Sequence, residues 1–299
     1  MKNNIIKTSE NPTLIFTDLD GSLLDHQSYS HKAADPILAL LKNAGIAVIP
    51  NTSKTLAELL PIRKELNNTD PFIVENGAAI YFPAESYDRP KATTEFKYKG
   101  QRFWQHSLAS PRNHWQQLLA SIEDPYRGLF ISFNQLGIEG ICQATGLSKA
   151  AAELANQRSF SEPVQWLGSA DEKQGFIKSV RALGANVLEG GRFLHLIDQH
   201  ICKASAMIWL TDFYNSQSSS EVGKPVYKNI AIGDSHNDIS MLQAADMAIV
   251  IRSPAHPAPK IPKQKNIAFS SAYGPQGWSD EIAKLFNFKL NPLPKSPTN

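Results

Sequence analysis

Two short acidic clusters contain the residues best suited to carry chemistry together. Asp18 and Asp20 follow one apolar run, and Asp234 follows another, with Asp238 four residues further on. Both runs are rich in strand-forming residues, so these carboxylates lie at the predicted ends of buried strands. Acidic groups gathered at one sheet edge repel one another unless a cation binds them. A hard divalent ion such as Mg²⁺ prefers oxygen ligands, and the chain offers no clustered thiolates or imidazoles for a softer metal.

With such a cation, these residues could transfer a phosphoryl group. One carboxylate can attack phosphorus, and a second can protonate the leaving alkoxide. Thr52 or Ser53, where another predicted strand gives way to a helix, could bind phosphate, and Lys203 could add positive charge. Structural interpretations stay open: Asp-x-Asp-Gly is usually a turn, Thr52 and Ser53 could cap a helix, and Lys203 could face solvent.

The elements that would position these residues alternate between strands and helices. Strands are predicted at 14–17, 46–50, 71–74 and 229–232. A helix is predicted to start at Ser53 or Lys54, where Pro61 should kink or split it. Continuous apolar strands joined by helices form parallel sheets covered on both faces, and ligands bind where the strands end. We therefore predict an α/β fold with a Rossmann-like, doubly wound parallel sheet.

The middle of the chain differs from both ends. Residues 85–197 mix aromatic, charged and turn residues, with helices predicted at 148–156 and 171–183 and a strand at 193–197. We interpret this region as an inserted α+β cap domain that divides a core formed by residues 1–84 and 198–299. The tail from Asn291 is rich in proline and serine and is predicted to fray.

The composition limits the number of domains, the location and the partners that we expect. The 299 residues are 42% hydrophobic and 19% charged, ordinary values for a globular protein of two domains. No apolar run is long enough to cross a bilayer, and the first ten residues lack a signal-peptide core. Cys142 and Cys202 suggest neither disulfides nor zinc, so we expect a cytoplasmic location. A net charge of +2 argues against nucleic acid as a partner. Oligomeric state stays open.

Four short motifs resemble those of the haloacid dehalogenase superfamily, in the same order along the chain. They are Asp-Leu-Asp-Gly at 18–21, Thr-Ser at 52–53, Lys203, and Gly-Asp-Ser-His-Asn-Asp at 233–238. The resemblance implies that Asp18 is the nucleophile and Asp20 the general acid–base. It also implies that Ser53 or Thr52 donates a hydrogen bond to phosphate and that Lys203 steadies the nucleophile and the phosphate.

The same resemblance implies a metal site. Asp234 would ligate Mg²⁺ together with Asp18 and the backbone carbonyl of Asp20. The residues implied to support this shell are Ser235, Asn237 and Asp238. One departure concerns the lysine motif, in which Cys202 stands where the superfamily usually has glycine.

A narrower resemblance is to the mannosyl-3-phosphoglycerate phosphatases. It rests on the stretches at 50–55, 74–80, 157–163 and 190–195. In such enzymes the inserted domain closes over the site and selects the substrate. The resemblance implies hydrolysis of mannosyl- or glucosyl-3-phosphoglycerate to a glycosylglycerate, which is a compatible solute, and phosphate.

Five further residues could bind a small phosphorylated sugar derivative of this kind. Arg158 and Arg192 could hold an anionic group through two hydrogen bonds, and Glu75 and Glu162 could accept from sugar hydroxyls. Asn76 is included in this predicted substrate site. Alternatively, Arg158 and Glu162 could pair with each other as i, i+4 neighbours at the surface.

Other functions stay open at this stage. A phosphatase with broader sugar-phosphate or sucrose-phosphate activity would use the same core. A mutase is less favoured, because mutases of this superfamily usually carry a smaller cap near the first motif. A phosphorylatable switch or binding protein also clusters aspartates at strand ends, but receiver domains are much shorter, and a non-catalytic protein has no use for an acid at Asp20.

Overall fold

The computed structural model describes residues 12–122, 124–190, 193–218, 226–262 and 264–289. The strands in these ranges are β1 (Thr13–Thr17), β2 (Ala47–Pro50), β3 (Phe72–Val74), β4 (Ala79–Pro83), β5 (Thr94–Tyr98), β6 (Gln101–Ser107), β7 (Phe130–Ser132), β8 (Glu162–Trp166), β9 (Ala185–Gly190), β10 (Phe193–Asp198), β11 (Lys228–Gly233), β12 (Met247–Arg252) and β13 (Ile267–Tyr273). The helices are α1 (Asp35–Asn43), α2 (Leu56–Glu65), α3 (Arg112–Ser121), α4 (Phe133–Thr145), α5 (Lys149–Asn156), α6 (Ala170–Ala182), α7 (Lys203–Ser218), α8 (Ile239–Ala244) and α9 (Gly274–Phe286). Among the described helices, none has the length and apolar character that a bilayer crossing requires.

A five-stranded sheet carries the acidic clusters. Its order is β13-β12-β11-β1-β2, and every neighbouring pair is parallel. Ile15 of β1 packs in a cluster with α1 and α9, whereas Leu14 and Phe16 face α7 and α8 on the other side. Helices therefore cover both faces, and the predicted doubly wound α/β core is confirmed. Because β1, β2 and β11 are parallel, their carboxyl ends meet at one edge.

The third predicted strand belongs to a different sheet. β3 lies in an antiparallel sheet of order β3-β4-β6-β5 and touches the parallel sheet through a single bridge between Asn51 and Ile73. A tight turn at 75–77 reverses the chain directly after β3, so that β4 pairs back on it. The strand predicted at 71–74 is present and lies parallel to the end of β2 at this bridge, but its ladder partner is β4, so it does not extend the five-stranded sheet as predicted.

A third sheet lies within the predicted cap. Its strands are antiparallel in the order β7-β8-β10-β9, and Leu194 and Leu196 of β10 pack with Trp115 of α3 and Phe176 of α6. Helices α5 and α6 start within two residues of their predicted positions, whereas α3 and α4 were not predicted. The division of the chain at residue 84 stays a prediction. That position falls between β4 and β5, which share one sheet.

Pro61 does not split its helix. α2 runs through Pro61 as one element and starts at Leu56, slightly later than predicted. The side chain of Thr55 accepts from the backbone N–H of Glu58, whose carboxylate accepts from the N–H of Thr55. This capping box fixes the helix start.

The last helix, which was not predicted, supports the strand that leads to Asp18. Trp278 of α9 is fully buried, and its Nε1 donates to Thr17 Oγ1 at 3.0 Å. The Thr17 hydroxyl in turn donates to the backbone carbonyl of Asp18 at 2.7 Å. The end of β1 is thus anchored from the opposite end of the sequence.

Candidate active site

A buried lysine joins the two acidic clusters. Nζ of Lys203 donates to Asp18 Oδ1 and to Asp238 Oδ1, each at 2.6 Å. Lys203 is the first residue of α7, Asp18 follows β1, and Asp238 lies beyond β11. Three separate elements therefore bring a cation and two anions together at the carboxyl edge of the parallel sheet.

The backbone around Lys203 is fixed by close contacts. The carbonyl oxygen of Lys203 accepts from Asn51 Nδ2 at 2.9 Å. Gly77 has a φ of +101°, and a Cβ at this position would lie 2.2 Å from the carbonyl oxygen of Cys202. Glycine is therefore needed at residue 77 for both conformation and space. Cys202, in the place of the superfamily's usual glycine, leaves Lys203 within reach of Asp18.

The residues predicted to support the site form one loop beyond β11. Asp238 Oδ2 accepts from the backbone N–H groups of Asp234 and Ser235 at 3.1 and 3.0 Å. Ser235 Oγ donates to Asn237 Oδ1 at 2.6 Å, and Asn237 Nδ2 donates to Asn76 Oδ1 at 3.2 Å. Asp238 therefore shapes the loop with one oxygen while it holds Lys203 with the other.

Asp234 has an oxygen available for a ligand. Its Oδ1 is buried and has no hydrogen-bond partner among the described residues, while Oδ2 lies 3.2 Å from His256 Nε2. Gly21, with a φ of +81°, leaves room for this carboxylate, since a Cβ there would lie 2.5 Å from Asp234 Oδ2.

The donor set fits a hard divalent cation. Ligand atoms of Asp18, Asp234 and Asp238 lie within 4.8 Å of one another, and all three residues are buried. They are carboxylate oxygens, the ligands that Mg²⁺ and similar ions prefer. Since Asp238 is already engaged by Lys203 and two backbone N–H groups, Asp18 and Asp234 are better placed to hold the ion.

Burial and the nearby charges shift the pKa values of Asp18, Asp234 and Lys203. Burial raises the pKa of Asp18 to about 8, against the pull of Lys203 and with the repulsion of Asp238, Asp234 and Asp20. Burial and Asp238 likewise raise the pKa of Asp234 to about 7. Burial opposes charge on Lys203, but its two aspartate partners outweigh that cost and raise its pKa above the usual value. Without a cation, therefore, the site favours extra protons.

Asp20 lies at the mouth of the site with its two oxygens in different surroundings. Oδ2 pairs with Lys54 Nζ at 2.7 Å. Oδ1 is buried, and the described residues offer it no hydrogen bond. Asp20 is thus held on one side only.

The two candidate phosphate donors, Thr52 and Ser53, differ in burial and in whether their hydroxyl groups are engaged. Thr52 is fully buried, and its hydroxyl accepts from the backbone N–H of Lys54 at 3.1 Å. Ser53 is partly exposed, and the described residues contribute no hydrogen bond to its hydroxyl. Both residues follow β2, whose end is joined to β1 by a bond from the Asn51 N–H to the Thr17 carbonyl at 2.8 Å.

Glu75 connects the site to the region that was predicted to be a cap. Its carboxylate accepts from the backbone N–H groups of Ser159, Phe160 and Ser161, and from Ser161 Oγ, at 2.6–3.2 Å. The φ angles of Glu75 and Asn76 are +48° and +60°, a region that non-glycine residues rarely adopt. We call this set of contacts the Glu75 clasp. The strain of the turn is thus balanced by four hydrogen bonds to one buried carboxylate.

The remaining predicted substrate residues are placed differently from one another. Arg158 donates to the backbone carbonyl of Ser53, so the alternative of a surface pair with Glu162 was wrong. Glu162 is fully buried and binds Arg112, Gln116 and the backbone N–H of Asn134. Arg192 lies outside the described residues.

Protein donors thus surround both glutamates that were predicted to bind sugar. Their contacts with sugar hydroxyls stay predictions.

Sequence reasoning missed several residues of the site. Lys54 directly follows Ser53 in a motif stretch, which is a signal that could have identified it. His256 and Trp278 come from loops and helices with no motif around them, so only the folded chain places them beside Asp234 and Thr17.

Comparisons with known proteins agree with this geometry. A family model described as haloacid dehalogenase-like hydrolase matches residues 15–100 and 171–261. Among solved structures, a haloacid dehalogenase-like hydrolase from Bacteroides thetaiotaomicron has a TM-score of 0.62 at 18% identity, covering 92% of this chain and 100% of that one. A sucrose-phosphatase from Synechocystis, solved with sucrose and phosphate, has a TM-score of 0.53 at 14% identity, covering 92% and 98%. These two likenesses concern the fold.

Two relatives are more similar in sequence. A protein of Methanococcoides burtonii named glucosyl-3-phosphoglycerate/mannosyl-3-phosphoglycerate phosphatase is 34% identical, over 93% of this chain and 98% of its own length. A protein of the same name from Persephonella marina is 32% identical, over 92% and 97%. The chain belongs to the haloacid dehalogenase-like hydrolase family. Within that family it is a phosphatase, a hydrolase of phosphoric monoesters.

The raised carboxylate pKa values predict a pH-dependent stability. Between about pH 4 and pH 8, the native metal-free site retains protons that the unfolded chain has released, so stability should fall as pH rises through this window. Divalent metal should stabilise the protein far more at about pH 8.5 than at about pH 5.5, because it binds deprotonated carboxylates. Thermal unfolding with EDTA or with Mg²⁺ measures both effects.

Asp234→Asn serves as the control for other titrating groups in this experiment. It should flatten the pH dependence of the metal-free protein and abolish most of the stabilisation by Mg²⁺. Equal stabilisation by metal at both pH values would contradict the assignment of these carboxylates as a metal site.

Glu75→Gln should weaken the clasp between the turn at 75–77 and residues 159–161 of the predicted cap. The amide group would turn a donor towards backbone N–H groups that need an acceptor, at a cost of roughly 2–4 kcal/mol. We expect a matching loss in unfolding free energy by urea denaturation and a fall in kcat/KM of about tenfold or more. The exposed Glu153→Gln, on α5, is the matched control. Wild-type stability and kcat/KM in Glu75→Gln would show that the clasp carries no such role.

Proposed function

We propose that this phosphatase hydrolyses mannosyl- or glucosyl-3-phosphoglycerate to the glycosylglycerate and phosphate, with Mg²⁺ and through an aspartyl-phosphate on Asp18. The observation that carries the substrate proposal is the similarity, over more than 90% of the chain, to two relatives named for these substrates. The Glu75 clasp is consistent with a substrate-selecting cap, because it holds residues 159–161 of the predicted cap beside the turn that follows β3.

Asp18 is the proposed nucleophile because its position is fixed through Oδ1 and the backbone, while the described residues donate no hydrogen bond to Oδ2. Lys203 binds Oδ1, and the carbonyl of Asp18 is anchored to Thr17. The other oxygen would attack phosphorus as the bond from phosphorus to the glycerate oxygen breaks. Mg²⁺ bound at Asp18 and Asp234 would offset the negative charge of the phosphoryl oxygens.

Asp20 is the proposed acid and base. In the first step it would give its proton to the leaving glycerate oxygen, which departs as an alcohol. In the second step the resulting carboxylate would take a proton from the water that attacks phosphorus, as the bond from phosphorus to Asp18 breaks. Ser53 would donate to a phosphoryl oxygen, and Lys203 would hold Asp18 in place through both steps.

The recognition of the non-phosphate part of the substrate falls to the cap. Arg158 lies next to Ser53, its side chain is almost fully buried, and its Nε finds no partner in the described part of the chain. An arginine so placed suits the carboxylate of a phosphoglycerate. Whether the sugar is mannose or glucose depends on one hydroxyl, and direct assay decides it.

The first test is phosphate release with Mg²⁺ from a small panel. The panel holds mannosyl-3-phosphoglycerate, glucosyl-3-phosphoglycerate, sucrose-6-phosphate, simple hexose phosphates and p-nitrophenyl phosphate. We expect kcat/KM to be highest for one or both glycosyl-phosphoglycerates and activity to disappear with EDTA and return with Mg²⁺. Broad, weak activity would discard the substrate proposal, and indifference to EDTA would discard the metal.

Asp18→Asn tests the nucleophile. An amide oxygen cannot form the aspartyl-phosphate, so phosphate release should fall by at least about 10³-fold, in the range set by other covalent catalysts. The exposed Asp171→Asn is the matched control and should keep wild-type activity. Substantial turnover by a folded Asp18→Asn would remove Asp18 from this role.

A further inference from the structure

Lys54 contacts the proposed acid directly, although none of the four motifs assigns it a role. Its Nζ lies 2.7 Å from Asp20 Oδ2, and its side chain is 12% exposed, against 38% for Asp20. The backbone of Lys54 is held on both sides: its N–H donates to Thr52 Oγ1, and its carbonyl accepts from the N–H of Glu75 at 3.0 Å. The backbone of Lys54 is therefore fixed between Thr52, a candidate phosphate-binding residue, and Glu75.

The two oxygens of Asp20 are made unequal by this contact. The terminal torsion of an aspartate is broad and nearly two-fold, so an unrestrained carboxyl group would exchange its oxygens freely. An ammonium group has donors only, so Oδ2 must be an acceptor wherever Lys54 holds it. A proton on Asp20 therefore resides on Oδ1, the oxygen that is buried and has no partner among the described residues.

The effect of Lys54 is positional more than electrostatic. Asp20 is more than one-third exposed, and ion pairs in such surroundings contribute about 0–1 kcal/mol. Correct placement of a general acid matters far more, since such a group contributes about 10²–10⁴-fold to rate. The ring of Tyr29, 5.2 Å from Nζ, adds a second restraint on the ammonium group.

We propose that Lys54 is a positioning residue for leaving-group protonation: by holding Oδ2 of Asp20, it assigns the proton to Oδ1, the oxygen that the described residues leave without a partner. The inference rests on the proposed function, in which Asp20 acts as acid and base. As the phosphorus–oxygen bond of the substrate breaks, the proton moves from Oδ1 to the leaving oxygen. It returns to Oδ1 from the water that later attacks phosphorus, and Lys54 stays protonated throughout.

The test compares two leaving groups in the full-length, Mg²⁺-loaded enzyme. Mannosyl-3-phosphoglycerate, or its glucosyl analogue if that is preferred, leaves as an alkoxide that needs a proton. p-Nitrophenolate leaves without one. The variants are Lys54→Met, which keeps the chain length without the charge, Lys54→Arg, and the control Lys64→Met at an exposed lysine of α2. Since kcat/KM reports the first irreversible step, it isolates phosphoryl transfer from later hydrolysis.

We expect Lys54→Met to lose about 30-fold or more in kcat/KM on the glycosyl-phosphoglycerate and less than about 3-fold on p-nitrophenyl phosphate. Lys54→Arg should recover most of the loss, and Lys64→Met should match wild type on both substrates.

Equal losses on both substrates, or no loss on either, would overturn the proposal. A loss confined to KM for the glycosyl-phosphoglycerate would also overturn it, because Lys54 would then bind the substrate itself. Thermal unfolding of each variant separates these results from misfolding. If wild-type enzyme released phosphate from neither substrate, the proposed function itself would fail, whatever the variants did.

Discussion

The contact of Lys203 with Asp18 and Asp238 is the constraint on which the rest of the site depends. Burying an unpaired ion costs several kcal/mol, so removal of Lys203 would leave two buried carboxylates without their shared cation. The ammonium group lies at the start of α7, and its two partners follow β1 and β11. The parallel sheet brings the ends of β1 and β11 to one edge. The buried ion pairs then hold the start of α7 against that edge.

The sum of charges in the described part of the site supports the proposal that a cation binds there. Burial raises the pKa values of Asp18 and Asp234, and the repulsion among Asp18, Asp234 and Asp238, which Lys203 offsets only in part, adds to this effect. A divalent ion would supply the missing positive charge and set both carboxylates free of protons. The same ion would also bind the phosphate that Asp18 is proposed to attack. Metal binding by Asp18 and Asp234 would therefore contribute to both stability and catalysis.

The turn at 75–77 links this centre to the cap. Residues held at positive φ cost of order 1–3 kcal/mol each, and such strain persists only when surrounding contacts enforce it. Here Glu75 accepts hydrogen bonds from the predicted cap, and Asn76 accepts one from Asn237 in the loop that follows β11. Gly77, which has no side chain, leaves room for the Cys202 carbonyl. One short turn therefore relates the position of the predicted cap to that of Lys203 and of the loop that contains Asn237.

Sequence reasoning succeeded where short-range patterns determine structure. An apolar strand followed by Asp18, Asp20 and a glycine specifies a strand end and a turn, and the parallel core follows from several such units. It did not identify partners that come from distant segments of the chain. Glu75 and Glu162 looked like free acceptors, but their donors lie in the cap, and β3 joined another sheet because the turn after it reverses the chain.

The most direct measurement is to trap the covalent intermediate. Enzyme mixed with radiolabelled glycosyl-3-phosphoglycerate and Mg²⁺, quenched in acid within the first turnover, should carry phosphate on the peptide that contains Asp18. Mass spectrometry then locates the modified residue, and a Lys203→Met variant should accumulate little or none of it. Label on another residue, or rapid turnover with no labelled protein at any quench time, would contradict the mechanism at its centre.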